Sequence, residues 1–203
     1  SGDVMCNWET FRKQIPTGLN FSLSGIPYWN TDIGGFFNWP YHGGAENKAY
    51  HELYTRWFQY GTFLPMQRSH GSGVKKEIYN LGKKGDWVYD SEEKYINLRY
   101  ALLPYLYSTG WQVTDNAGSF LRALFMDFNE DKKVHTISNQ YMFGKAFLVT
   151  PVTRNMYVFS DKEQWKDPYE DFSKTGTQDV YLPKGTKWFD FWTGEVLNGG
   201  QMV

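Results

Sequence analysis

The pattern of apolar residues changes near Gly118, and this change restricts the folds open to the chain. Before Gly118, runs with strand composition alternate with apolar residues at helical spacing. After Gly118, short β-prone runs follow one another and turn residues separate them. Strands that alternate with helices, followed by strands alone, are typical of an α/β domain joined to a small all-β domain. We therefore predict an α/β part over residues 1–118 and an all-β part over residues 119–203.

The same patterns predict the individual elements. Helices are predicted over residues 8–20, 53–64 and 90–113. Gly18 is expected to end the first helix, and the third begins in a capping-box-like arrangement at Asp90 and is kinked by Pro104. The apolar run over residues 21–29 has the composition of a strand. In the all-β part, strands are predicted over residues 120–128, 141–152, 156–159, 180–182 and 187–192.

Charge and cysteine content exclude several classes of function. Lys and Arg total 21 while Asp and Glu total 22, so the chain lacks the basic surface that nucleic acids or anionic membranes require. No apolar run approaches the ~18 residues of a membrane-spanning helix. Cys6 is the single cysteine, which rules out an internal disulfide and a cysteine-based zinc site. The four histidines lack the spacing of a metal site, so we predict no metal and no cofactor.

Polar clusters follow or interrupt strand-like runs at three places. They are Gly2-Asp3, the stretch from Asn30 to Phe36 that contains Asp32, and the stretch from Gln67 to His70 that contains Arg68. In an α/β barrel, active sites are built where strands end. Each cluster also has a structural interpretation, with Asp3 as a helix cap, Asp32 as a turn residue and the others as surface or packing residues.

The chemistry of these clusters favours carbohydrate as the substrate. Aromatic residues make up 19% of the chain, and flat aromatic faces serve either a packed core or the stacking of sugar rings. The sequence contains no phosphate-binding loop and no serine nucleophile elbow. Carboxylates beside aromatic side chains are what glycoside hydrolysis requires, because its transition state is a positively charged sugar.

A set of collinear motifs resembles glycoside hydrolase family 31. The motifs are Ser1-Gly-Asp-Val4, Gly18-Leu-Asn-Phe-Ser-Leu-Ser-Gly-Ile-Pro-Tyr-Trp-Asn-Thr-Asp-Ile-Gly-Gly-Phe36, Tyr54-Thr-Arg-Trp-Phe-Gln-Tyr-Gly-Thr-Phe-Leu-Pro-Met-Gln-Arg-Ser-His-Gly71, Leu98-Arg-Tyr-Ala-Leu-Leu-Pro-Tyr-Leu-Tyr107, Gln140-Tyr-Met-Phe-Gly144, Leu148-Val-Thr-Pro-Val152 and Val180-Tyr-Leu-Pro183. The family hydrolyses α-linked glycosides with retention of configuration on a (β/α)8 barrel followed by β-sandwich domains. The resemblance therefore implies the C-terminal portion of a (β/α)8 TIM barrel, an α/β fold, followed by a small all-β sandwich domain that is incomplete at residue 203.

The resemblance also implies a role for each candidate residue. Asp3 corresponds to the general acid/base of the family. Asp32 corresponds to a carboxylate that grips sugar hydroxyls in subsite −1, and is not the second catalytic group. Arg68 and His70 match residues that bind the hydroxyls of the same sugar, and Phe36 matches an aromatic wall.

One part of the family's machinery has no counterpart in these 203 residues. The nucleophilic aspartate of the family lies on an earlier barrel strand. The sequence therefore predicts a C-terminal piece of a longer enzyme, whose partners are the N-terminal part of the barrel and an oligosaccharide or polysaccharide substrate. The piece alone is expected to be inactive, because it holds one half of the catalytic pair.

Within the family, the chain is most similar to bacterial α-xylosidases that act on xyloglucan side chains. The similarity lies in residues 8–18 and in the Pro27-Tyr-Trp-Asn-Thr-Asp32 stretch. Met5 stands where many α-glucosidases carry an aromatic residue. An α-glucosidase or α-glucosyltransferase of the same family, or a non-catalytic carbohydrate-binding module, remain the alternatives. A bacterial periplasmic or exported location fits this group, but no residue specifies one.

Overall fold

The structure is a computed structural model that describes residues 2–174 and 176–203, so Ser1 of the first motif lies outside it. Its helices are α1 (Trp8–Leu23), α2 (Lys48–Thr62), α3 (Ile78–Leu81), α4 (Trp87–Ala101), α5 (Leu103–Asn116) and α6 (Leu124–Asp127). Its strands are β1 (Leu121–Ala123), β2 (Tyr141–Phe143), β3 (Phe147–Val149), β4 (Val158–Phe159), β5 (Tyr169–Glu170), β6 (Tyr181–Leu182), β7 (Lys187–Phe189), β8 (Val196–Asn198) and β9 (Gln201–Met202). Helices thus dominate the first part and short strands the second.

Helix α1 begins as predicted but continues beyond Gly18. Asn7 caps it, since its Oδ1 accepts a hydrogen bond from the backbone N–H of Thr10 at 2.7 Å. The expectation that Gly18 ends the helix is wrong, because Gly18 lies inside it and makes room for a neighbouring indole. A Cβ at Gly18 would lie 2.8 Å from Cε3 of Trp29. The predicted strand over residues 21–29 is also wrong, because residues 21–23 are helical and residues 24–29 pair with no strand of the described chain.

Helix α2 packs its aromatic face into the main core. It begins after Asn47, whose Oδ1 accepts a hydrogen bond from the backbone N–H of Ala49 at 2.9 Å. Trp57 of α2 stacks on Phe11 of α1, with ring centroids 4.7 Å apart and an interplanar angle of 10°. Both rings are fully buried, so the helix pair is held by aromatic packing.

The third predicted helix is divided into α4 and α5, which meet at Leu102. Pro104 lies in the first turn of α5, where its missing N–H leaves no helical bond unmade, so the predicted kink is confirmed. The capping box at Asp90 is wrong, because α4 begins three residues earlier, at Trp87. Asp90 Oδ1 instead accepts a hydrogen bond from the backbone N–H of Gly85 at 2.9 Å, which ties the preceding loop to the helix.

The strands of the second part form one three-stranded antiparallel sheet, β1-β2-β3, and three two-stranded pairs, β4-β5, β6-β9 and β7-β8. Leu121 of β1 pairs with Phe143 of β2. Strands β2 and β3 form a hairpin within the run predicted over residues 141–152. The run predicted over residues 120–128 is strand only in β1 and continues as α6. The predicted division at residue 118 falls in the connection between α5 and β1.

A buried carboxylate joins the second part to helix α2. Glu52 of α2 accepts hydrogen bonds from the backbone N–H groups of Met156 at 2.7 Å, Tyr157 at 3.2 Å and Val158 at 2.8 Å. The side chain is almost completely inaccessible to solvent. Three otherwise unpaired backbone donors at the start of β4 are therefore satisfied by one helical residue.

Candidate active site

Three backbone segments lie side by side and carry all five predicted site residues. We name them segment A (residues 2–6), segment B (residues 30–37) and segment C (residues 67–72). Parallel bridges join Met5 of segment A to Phe37 of segment B, and Phe37 to Ser72 of segment C. The order A, B, C is that of successive parallel strands, whose ends meet at one edge of a sheet.

Backbone hydrogen bonds fix this alignment. Phe36 N–H donates to the carbonyl of Val4 at 2.7 Å, and Ser72 N–H donates to the carbonyl of Phe36 at 2.9 Å. A second bond between segments B and C runs from Ile33 N–H to the carbonyl of Arg68 at 3.1 Å. Segment B is therefore bonded on both sides, and segments A and C are held at fixed offsets from it.

Two consecutive glycines allow segment B to turn against segment A. Gly34 and Gly35 have φ angles of +75° and +77°, a region that residues with a side chain rarely adopt. A Cβ at Gly35 would lie 2.7 Å from Cα of Cys6, which is a backbone clash. The glycine pair thus permits the close approach that places Asp32 and Phe36 at the two ends of one tight turn.

Asp32 and Arg68 are brought together by segments B and C. Asp32 is 3% exposed, whereas the Arg68 side chain is half exposed. Oδ1 of Asp32 lies 3.9 Å from Nη1 of Arg68, which is an ion pair without a hydrogen bond. Within the described residues, Oδ1 of Asp32 accepts no hydrogen bond. The pair therefore keeps hydrogen-bonding capacity on both partners.

Phe36 and His70 form a second contact between the same segments. Their ring centroids lie 5.4 Å apart with an interplanar angle of 58°. Phe36 is half-buried and His70 is exposed, so both rings reach the surface beside the ion pair. An aromatic edge next to charged groups suits the alternating apolar and hydroxyl faces of a sugar.

Asp3 lies on segment A, and its side chain is exposed. It precedes Val4, whose carbonyl accepts the hydrogen bonds of Phe36 at 2.7 Å and of Phe37 at 3.0 Å. The backbone of Asp3 is therefore adjacent to the Gly34-Gly35 turn. In the described chain, no hydrogen bond or ion pair joins the Asp3 carboxyl to Asp32, Arg68 or His70.

Lys76 belongs to this site, although the sequence does not single it out. It is 6% exposed, and its Nζ donates to the carbonyls of Ile33 at 2.9 Å, His70 at 2.7 Å and Gly35. Burial lowers the pKa of Lys76 to about 8, although the nearby Asp32 carboxylate favours the charged form. A pair of lysines in a polar stretch resembles a solvated surface, so Lys76 cannot be selected from the sequence.

Arg99 of α4 holds the chain that leads into segment C. Its guanidinium donates to the carbonyls of Thr62 at 2.7 Å, Leu64 at 2.6 Å and Pro65 at 2.9 Å. Burial lowers the pKa of Arg99 to about 10. The guanidinium satisfies carbonyls left free where α2 ends, and so fixes the direction in which the chain continues to Arg68.

The described residues form neither a metal-binding cluster nor a membrane-spanning helix. Residues 2–174 and 176–203 contain no group of three or more His, Cys, Asp or Glu side chains arranged to hold a metal ion. In the same ranges, no helix has the length and hydropathy needed to cross a bilayer.

Comparison with known proteins identifies the family. The profile described as "Glycosyl hydrolases family 31 TIM-barrel domain" matches residues 1–109, and that described as "Glycosyl hydrolase family 31 C-terminal domain" matches residues 117–203. The chain belongs to glycosyl hydrolase family 31. The predicted fold, the C-terminal portion of the TIM barrel followed by a small all-β domain, is confirmed by these matches and by the solved structures below.

Relatives within family 31 include α-xylosidases and α-glucosidases. The chain is 45% identical over 203 residues to an alpha-xylosidase of Saccharolobus solfataricus, covering 100% of this chain and 24% of that protein. It is 31% identical to alpha-glucosidase 2 of Bacillus thermoamyloliquefaciens, covering 99% of this chain and 22% of that protein. The chain thus spans about a quarter of the length of these relatives.

Solved structures show the same likeness. The family 31 alpha-xylosidase of Xanthomonas citri superposes with a TM-score of 0.85 at 40% identity, covering 100% of this chain and 20% of that one. A family 31 alpha-xylosidase from a soil metagenome, complexed with xylose, superposes with a TM-score of 0.81 at 31% identity, covering 100% of this chain and 29% of that one. The similarity to α-xylosidases that the sequence predicts is therefore confirmed.

Proposed function

We propose that this chain forms part of a retaining α-glycoside hydrolase, an α-xylosidase that releases α-linked xylose from xyloglucan-type oligosaccharides. The observation that supports this most is the 45% identity to an α-xylosidase over all 203 residues. Segments A, B and C, which carry Asp3, Asp32, Arg68 and His70, lie side by side through parallel bridges, and this agrees with the proposal.

In this proposal Asp3 is the general acid/base. Its carboxylic acid donates a proton to the glycosidic oxygen as the bond from that oxygen to the anomeric carbon breaks. The resulting carboxylate then takes a proton from a water molecule, whose oxygen attacks the anomeric carbon of the glycosyl-enzyme. The exposed position of Asp3 on segment A gives it access to both the leaving group and the water.

The second carboxylate comes from elsewhere in the enzyme. A retaining mechanism needs a nucleophile about 5–5.5 Å from the acid/base, on the other side of the anomeric carbon. Asp32 is buried and paired with Arg68, which suits hydroxyl binding better than attack on a sugar. We infer that the N-terminal part of the barrel supplies the nucleophile and is the chain's structural partner.

Asp32, Arg68 and His70 bind the hydroxyls of the sugar in subsite −1, and Phe36 lies beside them. The half-exposed Arg68 guanidinium keeps N–H donors for a sugar hydroxyl, because its 3.9 Å approach to Asp32 is not a hydrogen bond. Hydrogen bonds to charged groups are worth roughly 1.5–3 kcal/mol each, enough to hold a distorted sugar.

An Asp3→Ala variant of the full-length enzyme tests the role of Asp3. We expect hydrolysis of the natural oligosaccharide to fall by at least about 100-fold, since general acid catalysis contributes roughly 10²–10⁴-fold. With an aryl α-xyloside that needs no protonation, added azide should restore turnover and yield the α-xylosyl azide. Asp161→Ala, at an exposed aspartate of the second part, is the control. Unchanged kinetics in Asp3→Ala would refute the assignment.

The α-glucosidases among the relatives make α-glucosidase or α-glucosyltransferase activity the second candidate. Comparing aryl α-xylosides with aryl α-glucosides on the full-length enzyme distinguishes the two sugars. A higher kcat/KM for the glucoside than for the xyloside would assign the enzyme as an α-glucosidase instead of an α-xylosidase. Failure to cleave either glycoside would favour a non-catalytic carbohydrate-binding module.

A further inference from the structure

Lys76 places a buried positive charge between segments B and C. Its ammonium group has three N–H donors, and three backbone carbonyls surround it: Ile33 and Gly35 from segment B, and His70 from segment C. Every donor of the ammonium is therefore used within the protein. A buried ammonium is costly unless all its donors are satisfied, and this arrangement meets that requirement.

The three carbonyls belong to residues at or next to the proposed sugar-binding groups. Ile33 directly follows Asp32 along segment B, and His70 itself supplies the carbonyl from segment C. The ammonium therefore links the backbone that carries the Asp32 carboxylate to the backbone that carries the imidazole. In the described chain, direct backbone hydrogen bonds also join these two segments, from Ile33 N–H to the carbonyl of Arg68 and from Ser72 N–H to the carbonyl of Phe36.

The space around the ammonium is closely fitted. A Cβ at Gly71 would lie 2.7 Å from Nζ of Lys76 and 2.9 Å from the carbonyl oxygen of Phe36. The absence of a side chain at Gly71 is thus what admits the ammonium between the two segments. The nearby Asp32 carboxylate favours the charged form of Lys76 and so opposes the effect of burial on its pKa.

We propose that Lys76 is a positioning residue, which fixes Asp32 and His70 relative to each other through the backbone of segments B and C. The inference rests on the proposed function of these two residues in subsite −1. Lys76 itself does not touch the sugar. Its contribution is the relative placement of two groups that must contact one ring at the same time.

The test compares Lys76→Met with Lys75→Met in the full-length enzyme. Methionine matches the apolar stem of lysine but lacks the ammonium and its three donors. Lys75 is the exposed neighbour, so its variant controls for the loss of a lysine in the same loop. The readouts are kcat and KM for an aryl α-xyloside, the inhibition constant of free xylose, and the melting temperature.

For Lys76→Met we expect kcat/KM to fall roughly 10–100-fold, with the larger part in kcat, because misplacement by about 1 Å can cost a factor of that size. The inhibition constant of xylose should rise, whereas Lys75→Met should match the unaltered enzyme. Lys76→Gln keeps two donors, so its kcat/KM should lie between those of Lys76→Met and Lys75→Met. If Lys76→Met does not fold, Lys76→Gln is judged by the same criteria.

Two negative outcomes have different meanings. If the unaltered enzyme is active and a folded Lys76 variant keeps kcat, KM and xylose inhibition within about twofold while melting at a lower temperature, Lys76 is only structural and this inference is overturned. If the unaltered enzyme cleaves no α-glycoside, the proposed function fails first, and the sugar-binding roles of Asp32 and His70 fail with it.

Discussion

Asp32 and Arg68 form a charged pair that no hydrogen bond joins. The carboxylate is buried, while the guanidinium is half exposed. At 3.9 Å their attraction is Coulombic with no hydrogen bond, so neither partner would have to give up a hydrogen bond to the other when it binds a hydroxyl. A tighter, bidentate pair would have to be broken first, which would reduce the binding free energy available for the sugar.

Glu92 is a buried carboxyl that lies outside the proposed site. It lies on α4, and its Oε1 accepts a hydrogen bond from Thr55 Oγ1 at 3.2 Å. Its Oε2 has no hydrogen-bond partner within the described residues. Burial raises the pKa of Glu92 to about 8, so the carboxyl is protonated in the folded protein at neutral pH.

This raised pKa predicts a pH-dependent stability. The unfolded chain loses the Glu92 proton near the ordinary glutamate pKa of 4.5, whereas the folded chain keeps it up to about 8. The stabilisation is therefore complete below pH 4.5 and is lost as the pH rises toward 8. Across that window the free energy of unfolding should fall by up to about 1.4 kcal/mol per pH unit from this group.

Melting temperatures of Glu92→Gln at pH 5.5 and pH 8 test this. Glutamine has no proton to lose, so the decrease in melting temperature between the two pH values should be smaller in this variant than in the unaltered enzyme. Glu93→Gln, at the neighbouring position of α4, is the control and should keep the full decrease. Parallel pH profiles for all three proteins would show that Glu92 does not titrate in this window.

At the scale of elements, periodicity predicted the long helices but not all their ends, and it did not predict the short helices α3 and α6. Helix α2 was predicted from apolar spacing, which reports the buried face directly. The prediction that Gly18 ends α1 is wrong because Gly18 makes room for Trp29. This residue lies eleven positions along the chain, so periodicity does not show the contact. Strands β5, β8 and β9, with two or three residues each, were not predicted, since runs this short carry little alternation.

Some residues of the candidate site could be selected from the sequence, and others could not. Asp32, Arg68 and His70 lie in motifs whose residue types have a chemical meaning, so they could be selected from the sequence. Lys76 and Arg99 act through backbone carbonyls of distant residues, and such partners have no signature in the sequence. The candidate residues could thus be selected from their chemistry, and the residues that hold their backbone in place could not.

A Glu52→Ala variant measures how much the contact between α2 and the second part stabilises the protein. In Glu52→Ala, the backbone donors of Met156, Tyr157 and Val158 would lose a charged acceptor inside the protein. We expect the free energy of unfolding to fall by about 3–5 kcal/mol, as when one partner of a buried charged contact is removed. Urea denaturation of the full-length enzyme measures this, and Glu46→Ala, at an exposed glutamate, is the control. A loss below about 1 kcal/mol would mean that the three donors find other acceptors.

At the scale of the whole molecule, the aromatic side chains are divided between the core and the surface. The largest fully buried side chains include Trp57, Tyr50, Tyr54 and Tyr60, all on α2. A different set is exposed on α5, where Tyr107 is 84% exposed and Trp111 is 64% exposed. These two residues are four positions apart and so share one face of the helix. An apolar face of this kind is expected where another part of a protein packs, in agreement with the proposed N-terminal part of the barrel.

The proposal that the nucleophile lies outside residues 1–203 predicts that this chain alone is catalytically silent. Asp3 can protonate a leaving group, but without a second carboxylate about 5–5.5 Å away no glycosyl-enzyme can form. Purified residues 1–203 should therefore release no aryl alcohol from an aryl α-xyloside under conditions in which the full-length enzyme does. The exposed face of α5 should also make the isolated chain self-associate, which size-exclusion chromatography measures. A soluble monomer of residues 1–203 that cleaves the α-xyloside would show that the nucleophile lies within this chain, and the pairing of Asp3 with an external carboxylate would have to be abandoned.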